Sequence, residues 1–145
     1  MAALSDYLEN KFVDHLLRGQ AFTGPATTYI ALFTAAPSDS GGGTEVSGGS
    51  YARVAVTSSL ANWAGTQGVG TTAASSGTSG TTSNNAAITF PTATSSWGTV
   101  VAVGVYDALT GGNLLFYSAL TASQTVGSGA TMSFAAGQLS LQLDN

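Results

Sequence analysis

Val103–Leu120 reads VGVYDALTGGNLLFYSAL, and its reading decides the fold. Asp107, Thr110 and the pair Gly111–Gly112 stand between two apolar runs. A phosphate cradle, a catalytic carboxylate and a simple bend between strands all use such residues. A phosphate-binding loop of the Gly-x-x-x-x-Gly-Lys-[Ser/Thr] type needs its lysine on the phosphate. The chain's only lysine is Lys11, far away in sequence. A dinucleotide-binding turn needs a helix after its glycines, whereas NLLFY follows here. The bend accounts for every residue. Asp107 bonds back to the turn backbone, Gly111 and Gly112 take positive φ, and the flanking runs pair antiparallel. The run TVVAVGVYD (99–107) is apolar on both faces, which marks a central strand.

Outward from this hairpin the pattern stays β. TTYIALFT (27–34) is rich in β-branched and aromatic residues, and YARVAVTS (51–58) alternates, with Ala52, Val54 and Val56 on one face. AAITF (86–90) ends at Pro91, and NLLFYSA (113–119) and SQTV (123–126) follow the central strand. ATMSF (130–134) and LSLQL (139–143) complete the set, the latter with Leu139, Leu141 and Leu143 in alternation. About eight short strands separated by turn signals predict an all-β fold. The expected architecture is a jelly-roll-like antiparallel β-sandwich, with an immunoglobulin-like sandwich as second choice. No strand–helix alternation supports a parallel sheet.

Two segments depart from this texture. SDYLENKFVDHLLR (5–18) predicts one N-terminal helix. Leu4, Leu8, Phe12 and Leu16 recur every four residues, and Tyr7, Val13 and Leu17 widen the stripe. Ser5 or Asp6 suits the N-cap, Arg18 the C-terminal end of the dipole and Gly19 the left-handed cap. So short a helix is marginal alone, and its stripe must dock on its own sheet or on another subunit. Leu4, Tyr7, Leu8, Phe12 and Leu16 are therefore the candidate partner-binding residues. Residues 64–85, nearly half Ser or Thr and broken by Gly, predict a flexible surface loop. The alternative is a segment that drapes over a neighbouring subunit and orders there. The PSDSGGGTEVSGGS run (37–50) reads as a second turn-rich loop.

Composition narrows the function. With 145 residues the chain fits one domain, 1–145, with the sandwich over 27–143. Only 7% of residues are charged while 43% are hydrophobic, which is not the signature of disorder. Lys11, Arg18 and Arg53 are the only cations and the net charge is -4. Nucleic-acid binding needs clustered Lys and Arg, so no nucleic-acid partner is expected. There is no cysteine, hence no disulfide or thiolate metal site. The first residues have neither the basic nor the apolar region of a secretory signal, and no apolar run reaches the length of a membrane span. Synthesis in the cytoplasm, a soluble chain and no membrane partner are the expectation.

Reactive groups are scarce. His15 is the only histidine. It could meet Ser5 and Asp14 in a triad by sequence alone, but it sits among charged neighbours on the helix and reads as solvated or capping. No Gly-x-Ser-x-Gly elbow occurs. One His and no Cys cannot build a zinc site. SDSGGGTE (38–45) offers Asp39 and Glu45 without the alternating acids of an EF-hand loop. Outside the helix the acids are Asp39, Glu45, Asp107 and Asp144, too widely spaced for a facing pair. No enzyme, metal or cofactor is expected. Of the aromatics, most read as core, with one or two available for a sugar platform or an oligomer contact.

On these residues the chain resembles a known family. Residues 5–57 and 87–126 are similar to the two halves of small tailed-phage virion proteins, often labelled tail-fibre proteins. SYAR, FP before WG, and DA-x-TGGNLLFY carry the likeness in combination. The chain also resembles the head cement (decoration) protein of a Bordetella podophage. The resemblance implies a jelly-roll subunit that binds a capsid exterior as a homodimer, with the major capsid protein as partner. A receptor-binding or structural module of a tail fibre or baseplate is the alternative it implies.

Overall fold

The computed structural model describes residues 3–143, so Asp144 lies outside the described residues. Its elements are β1 (Ala3–Leu4), α1 (Asp6–Leu17), β2 (Thr27–Ala35), β3 (Thr44–Glu45), β4 (Val54–Thr57), β5 (Thr81–Ser83), β6 (Ile88–Thr89), β7 (Gly98–Tyr106), β8 (Leu114–Val126), β9 (Ser133–Phe134) and β10 (Ser140–Gln142). The fold is an all-β antiparallel sandwich with an N-terminal helix, as the pattern predicts.

The hairpin is present and central. β7 pairs antiparallel with β8, Val105 opposite Phe116 and Gly104 opposite Tyr117. On its other side β7 pairs with β2. The main sheet runs β1-β8-β7-β2-β3, with β4 also on β2. Alternation explains why β2 and β7 are apolar on both faces along their middles. Ile30, Leu32, Val103 and Val105 enter the main core, while Ala31, Phe33 and Ala102 form a second cluster with Tyr106 and Val101. Gly104 is required where the second cluster is tightest. A Cβ there would lie 2.9 Å from the Phe33 ring and 3.0 Å from Leu114.

Facing the sheet are two short pairs, β6–β9 and β5–β10. They deliver Ile88, Phe134 and Leu141, with Phe90, Met132 and Leu139 beside them, into the same core. Buried Asn84 ties this layer together. Its Nδ2 donates to the carbonyls of Ala86 and Ala135 at 2.8 and 2.9 Å, and Leu139 N donates to its Oδ1 at 2.9 Å. These bonds satisfy the Asn84 amide, which would otherwise be buried without partners.

Several boundaries differ from the sequence reading. The described residues hold ten strands, because β1, β3 and β5 were not expected. β5 falls inside the 64–85 segment and pairs with β10. The runs 113–119 and 123–126 join as one strand. Ala102 pairs with Ala119 and Val100 with Gln124, so residues 120–123 stand opposite Val101 alone as a bulge. The break the sequence signals is real, but it bends one strand instead of separating two. The strand expected over 51–58 is reduced to Val54–Thr57, with Ala52 exposed. Leu139 and Leu141 are buried but Leu143 is exposed, so the alternation ends at Leu141, two residues early.

A candidate interaction surface on the N-terminal helix

The opening turn is structural. Asn113 N donates to Asp107 Oδ1 at 2.7 Å and Asn113 Nδ2 to Asp107 Oδ2 at 2.8 Å. Gly111 and Gly112 have φ of 61° and 74°, the left-handed region that the turn reading requires. Asp107 spends both oxygens on the turn and faces no second carboxylate.

Sequence reasoning missed the residue that holds this turn in place. Arg53 Nε and Nη2 donate to the two Glu45 oxygens at 2.8 Å each. Its Nη1 donates to the carbonyls of Ala108 and Gly111, also at 2.8 Å. The guanidinium lies 3.6 Å from the Tyr106 ring centroid. Glu45 also accepts from the Tyr51 hydroxyl at 3.0 Å, and that hydroxyl accepts from Leu32 N at 2.9 Å. The Arg53 side chain is only 7% exposed. Burial works most strongly against its charge, but the Glu45 hydrogen bonds together with the charge of Glu45 and the Tyr106 and Tyr51 phenols outweigh it, and the pKa is raised. Burial pushes the Tyr51 phenol well up, and also raises that of Tyr106 against the opposing pull of Arg53. The signal was available. Arg53 and Glu45 form an isolated cation and acid in an almost uncharged stretch, and Arg53 closes the SYAR motif.

Other sequence candidates are dispersed. His15 is exposed, with Nδ1 3.1 Å from the Gln20 carbonyl oxygen, and Ser5 is occupied elsewhere. Asp39 accepts from Ser40 N while Glu45 is held by Arg53, so the two acids of the 37–50 loop serve separate contacts. Trp97 is buried, donating Nε1–H to the Gly49 carbonyl at 2.9 Å, with its ring edge-on to Tyr51. Trp63 packs partly buried against the core. The Trp97 indole offers no sugar platform, whereas Trp63 lines an open surface hollow with Leu60. Within 64–85, Gln67 Nε2 donates to Ala74 O and Thr66 Oγ1 to Ser76 O, so the segment bonds largely to itself.

The helix candidates are divided between two environments. Ser5 caps α1, accepting from Leu8 N at 3.3 Å, and its own hydroxyl donates to the Leu114 carbonyl. Ser5 N donates to Leu115 O at 2.9 Å, which hangs the helix start on β8. Leu8 is core, and Leu4, Tyr7 and Phe12 pack against it. Phe12 also meets Phe22 edge-on at 6.3 Å. Leu16 is not with them. It is 74% exposed, beside Leu17 at 81% and Val13 at 50%. The four-residue stripe docks on its own sheet through Phe12 and then runs past it.

A sequence model described as podophage GP4 fiber I protein gp80 matches residues 3–142. The chain belongs to this family. It is a structural protein of a phage virion. No curated protein matches the chain. The matched span runs from β1 through β10, so it includes the helix, the Arg53 cluster and the hairpin. No described helix is long and apolar enough to cross a membrane.

Proposed function

We propose that this protein is a non-enzymatic virion subunit that binds the outside of the phage head. There it cements neighbouring major capsid subunits, acting as a homodimer. The observation that carries the reading is the bare C-terminal half of α1. An apolar helix face left in water by its own fold is unfavourable unless a partner covers it. Binding the assembled shell and not the free subunits would stabilise the shell by mass action. A dimer bridging two capsomers would add effective concentration to a modest single interface. The resemblance of the chain to a head cement protein supports the same reading.

The family's description favours a second reading, a subunit of a fibre or baseplate on the tail. Cryo-electron microscopy of the virion with copy counting separates the two. Hundreds of copies over capsid-subunit boundaries are expected. A few copies confined to the tail would overturn the cement reading in favour of the second.

A further inference from the structure

The two faces of α1 carry different chemistry. Leu4, Leu8 and Phe12 turn toward the sheet. Asp6, Glu9 and Val13 follow one another at three- and four-residue spacing, and Leu16 and Leu17 lie three and four residues beyond Val13, so the five line one stripe. All five are exposed. The stripe is acidic over its first turn and apolar over its last.

Charge narrows what covers it. Among the described residues the cations are few and dispersed. Arg53 grips Glu45, Arg18 pairs with Asp14 at 2.9 Å, and Lys11 Nζ stands 5.6 Å from the Tyr7 ring centroid. Asp6 and Glu9 have no cationic partner among the described residues. Asp39 adds a third carboxylate, since its carbonyl accepts from Asp6 N at 2.9 Å. Asp6 and Asp39 share one cleft of about 390 Å³. Acids in a first turn favour the helix dipole, which accounts for two of these charges but not for bare leucines beside them. A second copy of this chain brings more acid and no free cationic patch. It therefore fits this face poorly.

We infer that the solvent face of α1 docks on a different protein, one that presents a basic rim around an apolar hollow. Leu16 and Leu17 fill the hollow, Val13 seals its edge, and Asp6, Glu9 and Asp39 meet the rim. The mode is a helix laid into a groove, read at i, i+3, i+4 and i+7. This inference rests on the proposed assembly role and names the chemistry of the partner. It leaves self-association to another face.

The test uses a phage without its own copy of the gene, grown in cells that supply the full chain. The readout is the amount of this protein per purified virion, measured by quantitative mass spectrometry whether it sits on head or tail. L16S/L17S is expected to lower incorporation about tenfold or more, the loss of two buried leucines. Glu9→Lys is expected to lower it several-fold while Glu9→Gln does so less. Sedimentation of the purified variants is expected to show the wild-type oligomeric state, and circular dichroism the wild-type melting. Unchanged incorporation of both L16S/L17S and Glu9→Lys would overturn the inference. So would loss of the wild-type oligomer in L16S/L17S, because a second copy would then be what covers the face. Imaging of wild-type copies tests the cement reading separately. Tail location with poor incorporation of the variants would reject that reading and keep this inference.

Discussion

The hairpin end and the helix end of this protein treat polarity in opposite ways. At the hairpin, a cation and an acid are drawn under the surface and spent on backbone carbonyls and a tyrosine. At the helix, leucines stand in water, and Asp6 and Glu9 stand without cations among the described residues. In a chain with 7% charged residues such choices are conspicuous. Charge turned inward fixes the fold, because every group of the Arg53 cluster has a partner. Apolar surface turned outward gains nothing for the fold and is explained by a contact outside it.

The largest expected effect breaks the inward half of that contrast. Arg53→Ala strands Glu45 and two turn carbonyls, so a loss of about 3–5 kcal/mol is expected, as for other half-removed buried pairs. Urea denaturation measures it. The double variant Arg53→Met with Glu45→Gln should lose less than Arg53→Ala alone, since no uncompensated charge remains. A double variant less stable than Arg53→Ala would mean that the pair itself, and not the stranding of one partner, supplies the stability.

Next comes a comparison along one helix. Leu8→Ala empties a core position and is expected to cost about 2–5 kcal/mol. Leu17→Ala, nine residues later at an 81% exposed site, should stay within about 0.5 kcal/mol. Thermal melts of the two variants measure the difference. Equal losses would mean that the helix end is sheltered by the fold after all.

These two ends were unequally legible in the sequence. The hairpin could be read because its signals are local. Asp107 and Gly111–Gly112 set the turn, and apolar runs with no helix after them set the strands. The helix and its cap at Ser5 were local too. The sequence could not say where the Leu4–Leu8–Phe12–Leu16 stripe leaves the sheet, since periodicity does not encode the length of the surface beneath it. Arg53 escaped for the same reason. Its partners at 45, 106, 108 and 111 are joined only by the pairing of β2 with β3, β4 and β7. The short strands β1, β3 and β5 are fixed by long-range pairing as well, and two or three residues carry no period of their own.

Alkali should sharpen the contrast with a smaller effect. The Tyr51 and Tyr106 phenols are raised above the ordinary value of 10.0, chiefly by burial. A phenol with a raised pKa in the fold loses its proton first in the unfolded chain. Its stabilisation is whole below pH 10 and is lost as pH rises from there toward the folded value. Stability should fall above about pH 10 with a slope of up to about 1.4 kcal/mol per pH unit for each tyrosine. Urea denaturation between pH 9 and 11.5 measures the slope. Tyr51→Phe should be less stable at neutral pH, having lost its bonds to Glu45 and Leu32, but its decline with alkali should be shallower. An unchanged slope would show that Tyr51 is not the group titrating.

A small effect is expected at Asp107, and it separates the turn from the clamp that holds it. The carboxylate makes two bonds to Asn113 at the exposed end of the hairpin. Asp107→Ala removes both acceptors and is expected to cost about 1 kcal/mol, the net worth of a typical hydrogen bond set against solvent. Asp107→Asn keeps an oxygen for Asn113 N and should cost less than Asp107→Ala. Both variants keep Arg53 on the carbonyls of Ala108 and Gly111, so the turn should hold its conformation. Amide hydrogen exchange at Asn113 is the direct measurement, and it should quicken in Asp107→Ala much more than in Asp107→Asn. If exchange quickened instead across Val103–Leu120 as a whole, the carboxylate would be holding the hairpin, and Arg53 would be only its neighbour.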